Sequence, residues 1–219
     1  RLTRVEAGVV PTVTALKPTR REGRVAVHVD GSFVVAVGES LLVRHGLFVG
    51  LELSEGQLDA LRTDADADRT LADAYRLLAH RARALAELRQ RLRAKGHDEA
   101  AIQAVVVRLR GEGLLDDAAF AAAFVADKRR LSGWGAGRIA RELGRLGVDQ
   151  AVVAAALPDS DDATAAELAR ARAALSHRGP ARPPLEPARK RAYDYLLRRG
   201  YSTTVAYRAV REWAAGATD

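Results

Sequence analysis

"RIARELGRLGVDQAVVAAAL", residues 138–157, decides the fold, because it is one of three copies. "ELRQRLRAKGHDEAAIQAVV" (87–106) precedes it and "AYDYLLRRGYSTTVAYRAV" (192–210) comes after it. Aligned on Gly96, Gly147 and Gly200, each copy has a leucine four residues before the glycine (Leu92, Leu143, Leu196) and a small or branched residue six after it (Ile102, Val153, Ala206). Helical spacing on both sides of the glycine reads as two helices joined by a turn, and the copies stand 51 and 53 residues apart. A period that long holds a third helix. Residues 69–81, 117–130 and 162–176 supply one per copy, with Tyr75 and Leu78, Phe120 and Phe124, and Leu168 and Leu175 as inward anchors.

Working outward, "GLLDDAAFAAAFV" (113–125) places Asp116 and Asp117 at the start of the second copy's first helix. Both read as capping carboxylates that accept orphan backbone N–H groups, since neighbours about 100° apart around a helix make a poor acid–base pair. "RVAVHVDGSFVVAV" (24–37) is a β-hairpin turning at Asp30-Gly31, and "TVTAL" (12–16) adds a third strand. "ESLLVRHG" and "SEGQLDALR" read as two short helices ending near Arg62, and "RTDADADRT" (62–70) as an acidic polar break. The expected fold is mainly α, with three tandem three-helix copies (65–115, 116–160, 161–219) behind a small β-hairpin-containing unit (1–64) that docks on the helices after it. A proline-rich loop at 176–188 interrupts the third copy.

Composition narrows the function. The 219 residues are 48% hydrophobic but only 5% aromatic, so a core must be built from close-packed Leu, Val and Ala, which favours helices. Cysteine is absent, removing disulfides, thiolate metal sites and thiol nucleophiles, and this fits a reducing cytoplasm. No apolar run approaches the ~20 residues that a membrane-spanning helix needs. The net charge of +7 favours a polyanionic partner. Residues 1–64 balance eight basic against eight acidic groups, so the whole excess belongs to the helical copies.

Catalysis is disfavoured. His28, His45, His80, His97 and His177 lack the spacing that puts two ligands on one helix face, and no cofactor or metal is expected. "GWGAG" (133–137) comes after the basic "DKRRLS" instead of a strand, so it reads as an inter-helix turn with Trp134 packed over it, not a dinucleotide loop. A helix-turn-helix that reads bases is also disfavoured. The second helices open on Asp98-Glu99 and Asp149, which would repel phosphates, and continue apolar. Basic residues instead lie off the apolar stripes: Arg81, Arg89, Arg93 and Lys95 in the first copy, Arg138, Arg141 and Arg145 in the second, Arg198 and Arg199 in the third. Recurrence in stacked copies makes these nine the candidate contact surface.

The stretch 79–125 together with "GWGAGRIARELGRLGVD" resembles the RecX family, modulators of the RecA recombinase. The resemblance runs from about Leu71 to Val210 and rests on an ordered combination: Arg81, Glu87-Leu88, Leu92, Gly96, Leu114 to Asp117 with Phe120-Ala121, Gly135, Ile139, Glu142-Leu143 and Gly147. It implies a curved, elongated, non-enzymatic protein, and a monomer is expected. Such a protein would bind along the groove of a RecA filament on single-stranded DNA and inhibit ATP hydrolysis, strand exchange and coprotease action. DNA itself, single-stranded or duplex, would be touched without sequence preference. The alternative is a non-specific DNA-binding protein or helical adaptor that does not act on RecA. Three positions depart from the family pattern. Ala84 stands where many relatives carry a capping Ser, a loss of about 1 kcal/mol; His97 stands for an aromatic residue, and Ala136 for a common Pro.

Overall fold

A computed structural model describes residues 10–20, 23–179 and 185–215. Three strands, β1 (Val13–Pro18), β2 (Arg24–Val29) and β3 (Ser32–Gly38), form an antiparallel sheet in the order β1-β2-β3. Among the described residues ten helices come after the sheet: α1 (Glu39–Arg44), α2 (Glu55–His80), α3 (Leu85–Ala94), α4 (Glu99–Gly111), α5 (Asp117–Ser132), α6 (Ala136–Arg145), α7 (Gln150–Ala156), α8 (Asp161–Ser176), α9 (Leu185–Arg198) and α10 (Thr203–Ala215). The chain divides into two compact units. One runs up to Arg81 and includes Leu88–Leu114; the other takes Ala82–Glu87 and everything from Leu115.

In the first unit the hairpin turns where expected, with Asp30 at φ 50° and Gly31 at φ 80°, the pair of positive φ values that a two-residue turn between twisted strands requires. Val13, Val27, Val29 and Val37 bury one face of the sheet against Leu41 of α1 and Leu58, Leu61 and Ala65 of α2. The sheet does dock on the helices after it, but the docking element differs from the expectation. No break occurs at 62–70: α2 runs unbroken for 26 residues from a Ser54–Gln57 capping box. Its acidic run stays helical because cations meet it at successive turns. Asp64 accepts from His45 at 2.8 Å with Arg44 nearby, and Asp68 pairs with Arg24 of β2 at 3.4 Å. The expected 69–81 helix is therefore the C-terminal half of α2. Tyr75 on it does not point inward; it is exposed and its hydroxyl donates to Glu112 at 2.7 Å.

α2, α3 and α4 close around Leu88, Leu92, Ile102, Val105, Val106 and Leu109. His97 sits among them with its side chain 1% exposed, and two neighbours make that polar ring tolerable. The Thr70 hydroxyl lies 2.7 Å from the Asp66 carbonyl and 2.9 Å from His97 Nδ1, while His97 Nε2 hydrogen-bonds Asp73 at 2.8 Å. Asp73 also takes Arg76 at 2.6 Å and Lys95 at 3.3 Å. Burial works to raise the Asp73 carboxyl, but the hydrogen bonds from His97 and Lys95 and the charge of Arg76 outweigh it and hold the group below its ordinary value.

The second unit holds two helix triplets. α5, α6 and α7 pack around Ala121, Val125, Ile139, Leu143, Val148 and Val153; α8, α9 and α10 around Leu168, Leu175, Leu196, Val205, Ala206 and Ala209. Gly96, Gly147 and Gly200, the three turn glycines, share positive φ (79°, 79°, 87°). Two of them do more than turn. A Cβ on Gly147 would collide with that of Ala86, and one on Gly200 would collide with Arg138, lying 2.8 Å from its Cα, whereas Gly96 faces open space. At the second contact the backbones bond directly: Gly135 N–H donates to the Arg199 carbonyl (2.8 Å) and Gly137 N–H to the Gly200 carbonyl (3.0 Å).

The carboxylates at the helix starts divide their work. Asp116 caps α5, accepting from Ala118 (2.8 Å) and Ala119 (3.0 Å). Asp117 does not; it accepts from the backbone N–H of Leu85 at 2.8 Å, capping α3. This supplies from α5 what the absent Ser at the buried Ala84 would have given locally. Glu167 of α8 does the same for α6, accepting from Ala136 N–H at 2.7 Å, a bond that proline at 136 could not make. Of the expected loop at 176–188, residues 180–184 lie outside the described residues, and α9 already begins at Leu185. Pro187 falls in its first turn, where a missing N–H costs nothing.

These contacts make stability testable at two places. Gly200→Ala should cost about 3 kcal/mol or more in chemical denaturation of the full chain, and Gly96→Ala only about 1–2, because only the first adds a collision to left-handed strain. For Asp73, the folded carboxyl is depressed, so its contribution is full above the ordinary value of 3.8 and is lost as pH falls through the lower folded value. Asp73→Asn should therefore flatten the acid limb of the stability–pH curve below about pH 4.

Candidate partner-binding surface

The nine basic candidates separate by what already engages them. On α3, Arg93 makes a two-pronged pair with Glu99 (2.7 and 2.8 Å), and Arg89 donates to Gln103. Lys95 reaches Asp73. Arg81 lies just past the end of α2 with extended backbone and is exposed. In the first unit, then, the side chains of Arg93 and Lys95 are held by carboxylates. Asp98 and Asp149, expected to repel phosphates, serve as N-caps of α4 and α7, accepting from Ala100 (2.8 Å) and Ala151 (2.7 Å).

The second unit is different. On α6, Arg145 pairs with Glu142 at 3.0 Å, but Arg138 and Arg141 have no carboxylate within ion-pair distance among the described residues. Trp134 packs against the α5–α7 core as expected, with Arg138 over its ring at 4.1 Å and Lys128 at 5.0 Å. Arg138 also donates to the Arg198 carbonyl at 3.4 Å, tying α6 to the end of α9. Arg199 is turned inward. It donates to the carbonyls of Ser132 and Gly133 (3.4 Å to the latter) and stacks 4.7 Å from the Tyr195 ring, a cation closing the C-terminal end of α5. Arg141 and Arg198 are exposed.

Sequence reasoning missed three arginines here. Arg129, Arg130 and Arg170 line, with Arg199, Tyr195 and Tyr201, a cleft of about 590 Å³. Arg129 and Arg130 are visible in the sequence as "KRR" but sit at the end of α5, outside the repeated motif. Burial, reinforced by the charge of Arg170, lowers the Arg129 guanidinium from its ordinary value, and Glu167 only partly opposes this. Among the described residues no group of His, Asp or Glu has metal-holding geometry, and no helix is long and apolar enough to cross a membrane.

Comparison with known proteins matches this arrangement. Residues 71–109 match the family model for the first three-helix domain of RecX, and residues 116–157 the model for its second three-helix domain. The regulatory protein RecX of Thermobifida fusca (strain YX) is 39% identical over 131 residues, spanning 58% of this chain and 69% of that protein. The regulatory protein RecX of Limosilactobacillus reuteri (strain DSM 20016) is 25% identical over 193 residues, spanning 88% and 73%. A crystal structure of regulatory protein RecX shares the fold with a TM-score of 0.66 at 23% identity, covering 93% of this chain and 100% of that one. The three-helix triplets, the turn glycines at their joints and these relatives agree: the chain belongs to the RecX family of non-enzymatic regulatory proteins.

Proposed function

We propose that the protein inhibits the RecA recombinase. It lodges in the groove of the RecA filament on single-stranded DNA and suppresses ATP hydrolysis, strand exchange and coprotease activity. The observation that carries this reading is family membership, since the relatives that span the chain are regulatory proteins RecX. The local support is the basic set on α6 and at the end of α9. Arg138, Arg141 and Arg198 have no carboxylate partner among the described residues, leaving them to meet a polyanionic filament. The paired Arg89, Arg93, Lys95 and Arg145, with Arg81 and Arg199, join the same surface in this proposal, the pairs exchanging partners on binding.

In this reading the helical copies at 65–115, 116–160 and 161–219 act together behind the N-terminal unit at 1–64, as a cytoplasmic monomer. A groove-filling protein would bridge neighbouring recombinase subunits, exclude duplex DNA or a repressor substrate, and hinder the subunit movements that accompany ATP turnover. Replacing Arg138, Arg141 and Arg145 together by Ala should raise the concentration needed for half-inhibition of RecA ATP hydrolysis on the order of tenfold, with far-ultraviolet circular dichroism unchanged. Inhibition at the wild-type concentration would remove this ridge from the surface. A recombinase filament indifferent to the unaltered protein in both ATP hydrolysis and strand exchange would remove the function.

A further inference from the structure

The cleft at the end of α5 has a property that the repeat surface lacks. Four arginines (Arg129, Arg130, Arg170, Arg199) and no carboxylate are among its lining residues. Two aromatic walls accompany them: Tyr195, flanked by Arg199 at 4.7 Å and Arg178 at 4.5 Å, and the buried Tyr201. The acids nearby are already committed. Asp127 pairs with Arg130 at 3.3 Å in solvent, and Glu167 divides its oxygens between Ala136 N–H and Arg170, the latter at 3.5 Å. Arg129 is left half-buried beside Arg170, with its Nε donating to nothing among the described residues. Holding like charges together in partial burial is unfavourable for the isolated protein, and a bound anion reverses the sign of that interaction.

We infer that this cleft is a nucleic-acid site that takes a phosphodiester of single-stranded DNA, with Arg129 and Arg130 on the phosphate and the Tyr195–arginine stack beside the base. Guanidinium forks match the oxygens of phosphates and carboxylates alike, and two further features select a nucleotide segment over an acidic peptide. Arginine planes and aromatic rings offer faces on which a base stacks without sequence preference. The volume of about 590 Å³ suits a nucleotide-sized group better than a single carboxylate. The inference deepens the function proposed above and rests on it only for the identity of the polyanion; its test contains no recombinase, so the two can fail separately.

The test titrates the full chain against a fluorescent oligothymidylate over a salt series. Arg129→Gln should weaken binding roughly fivefold near 0.1 M salt, because each phosphate contact on a single strand contributes ~0.7 per decade of salt to log K. Arg129→Gln with Arg130→Gln should lower the salt slope by about 1.4. The same Arg129→Gln should raise the melting temperature, since it removes a partly desolvated charge facing Arg170. A residue with only a packing role would give the opposite shift. Arg110→Gln, at an exposed position of α4, should leave affinity within about twofold. Wild-type affinity and slope in the double variant would overturn the assignment. So would DNA binding that survives while polyglutamate binding is lost, which would make the cleft a peptide site. A third result against it would be thermal protection by inorganic phosphate with no oligonucleotide binding at any salt.

Discussion

Two stretches of backbone meet in the second unit with no side chain between them, and much of that unit's order depends on it. The start of α6 and the turn between α9 and α10 approach so closely that a Cβ on Gly135 would lie 2.5 Å from the Tyr201 nitrogen. At that separation the peptide groups bond each other. α6 has no side-chain cap of its own and no acidic residue in its first turn. Its orphan donors are met from the third triplet instead, by the Arg199 and Gly200 carbonyls and by Glu167. Because a buried helix end without partners costs about 1–3 kcal/mol per group, α6 depends on the third triplet for its own start. The same logic acts through Asp117 at the start of α3. Repetition in sequence thereby becomes mutual dependence in folding: the middle helices α3 and α6 are each completed by the copy after their own.

That dependence explains what could be read in advance. Gly96, Gly147 and Gly200, with the buried Leu92, Leu143 and Leu196, were legible because turn and core share one short motif whose period repeats. The hairpin was legible because Asp-Gly between alternating valines has few other conformations. The helix through 62–70 was not. Its carboxylates look like solvent-facing breakers until Arg24, Arg44 and His45, 19 to 44 residues earlier in the chain, are folded against them. Asp117 was half legible. Its place at a helix start was clear, but whether it served its own helix or α3, 32 residues away, depended on packing that no local pattern encodes. Tyr75 kept helical phase with Leu78 yet is drawn to the surface by its hydroxyl partner Glu112.

The candidate surface shows the limit more sharply. Counting arginines locates charge but not its availability, and availability is what a polyanion samples. Arg93 and Arg141 each lie on the middle helix of a copy, off its apolar stripe. Arg93 is held in two bonds by Glu99, while Arg141 has no such partner among the described residues. Electrostatic complementarity costs the first an exchange of partners and the second only its hydration.

Glu167 ties the two themes together. One oxygen closes the helix that starts at Ala136, and the other lies 3.5 Å from Arg170, so this nearly buried carboxylate only partly offsets the charge of Arg129. The cleft's excess positive charge is thus a consequence of how the triplets are joined. A carboxylate free of the joint could have satisfied both arginines, leaving a stable pair with little reason to attract an anion. Committing half of it to backbone geometry fixes the joint and leaves the Arg129 guanidinium of α5 under-compensated. The contact that orders the second unit thereby also sets the electrostatic character of the cleft beside it.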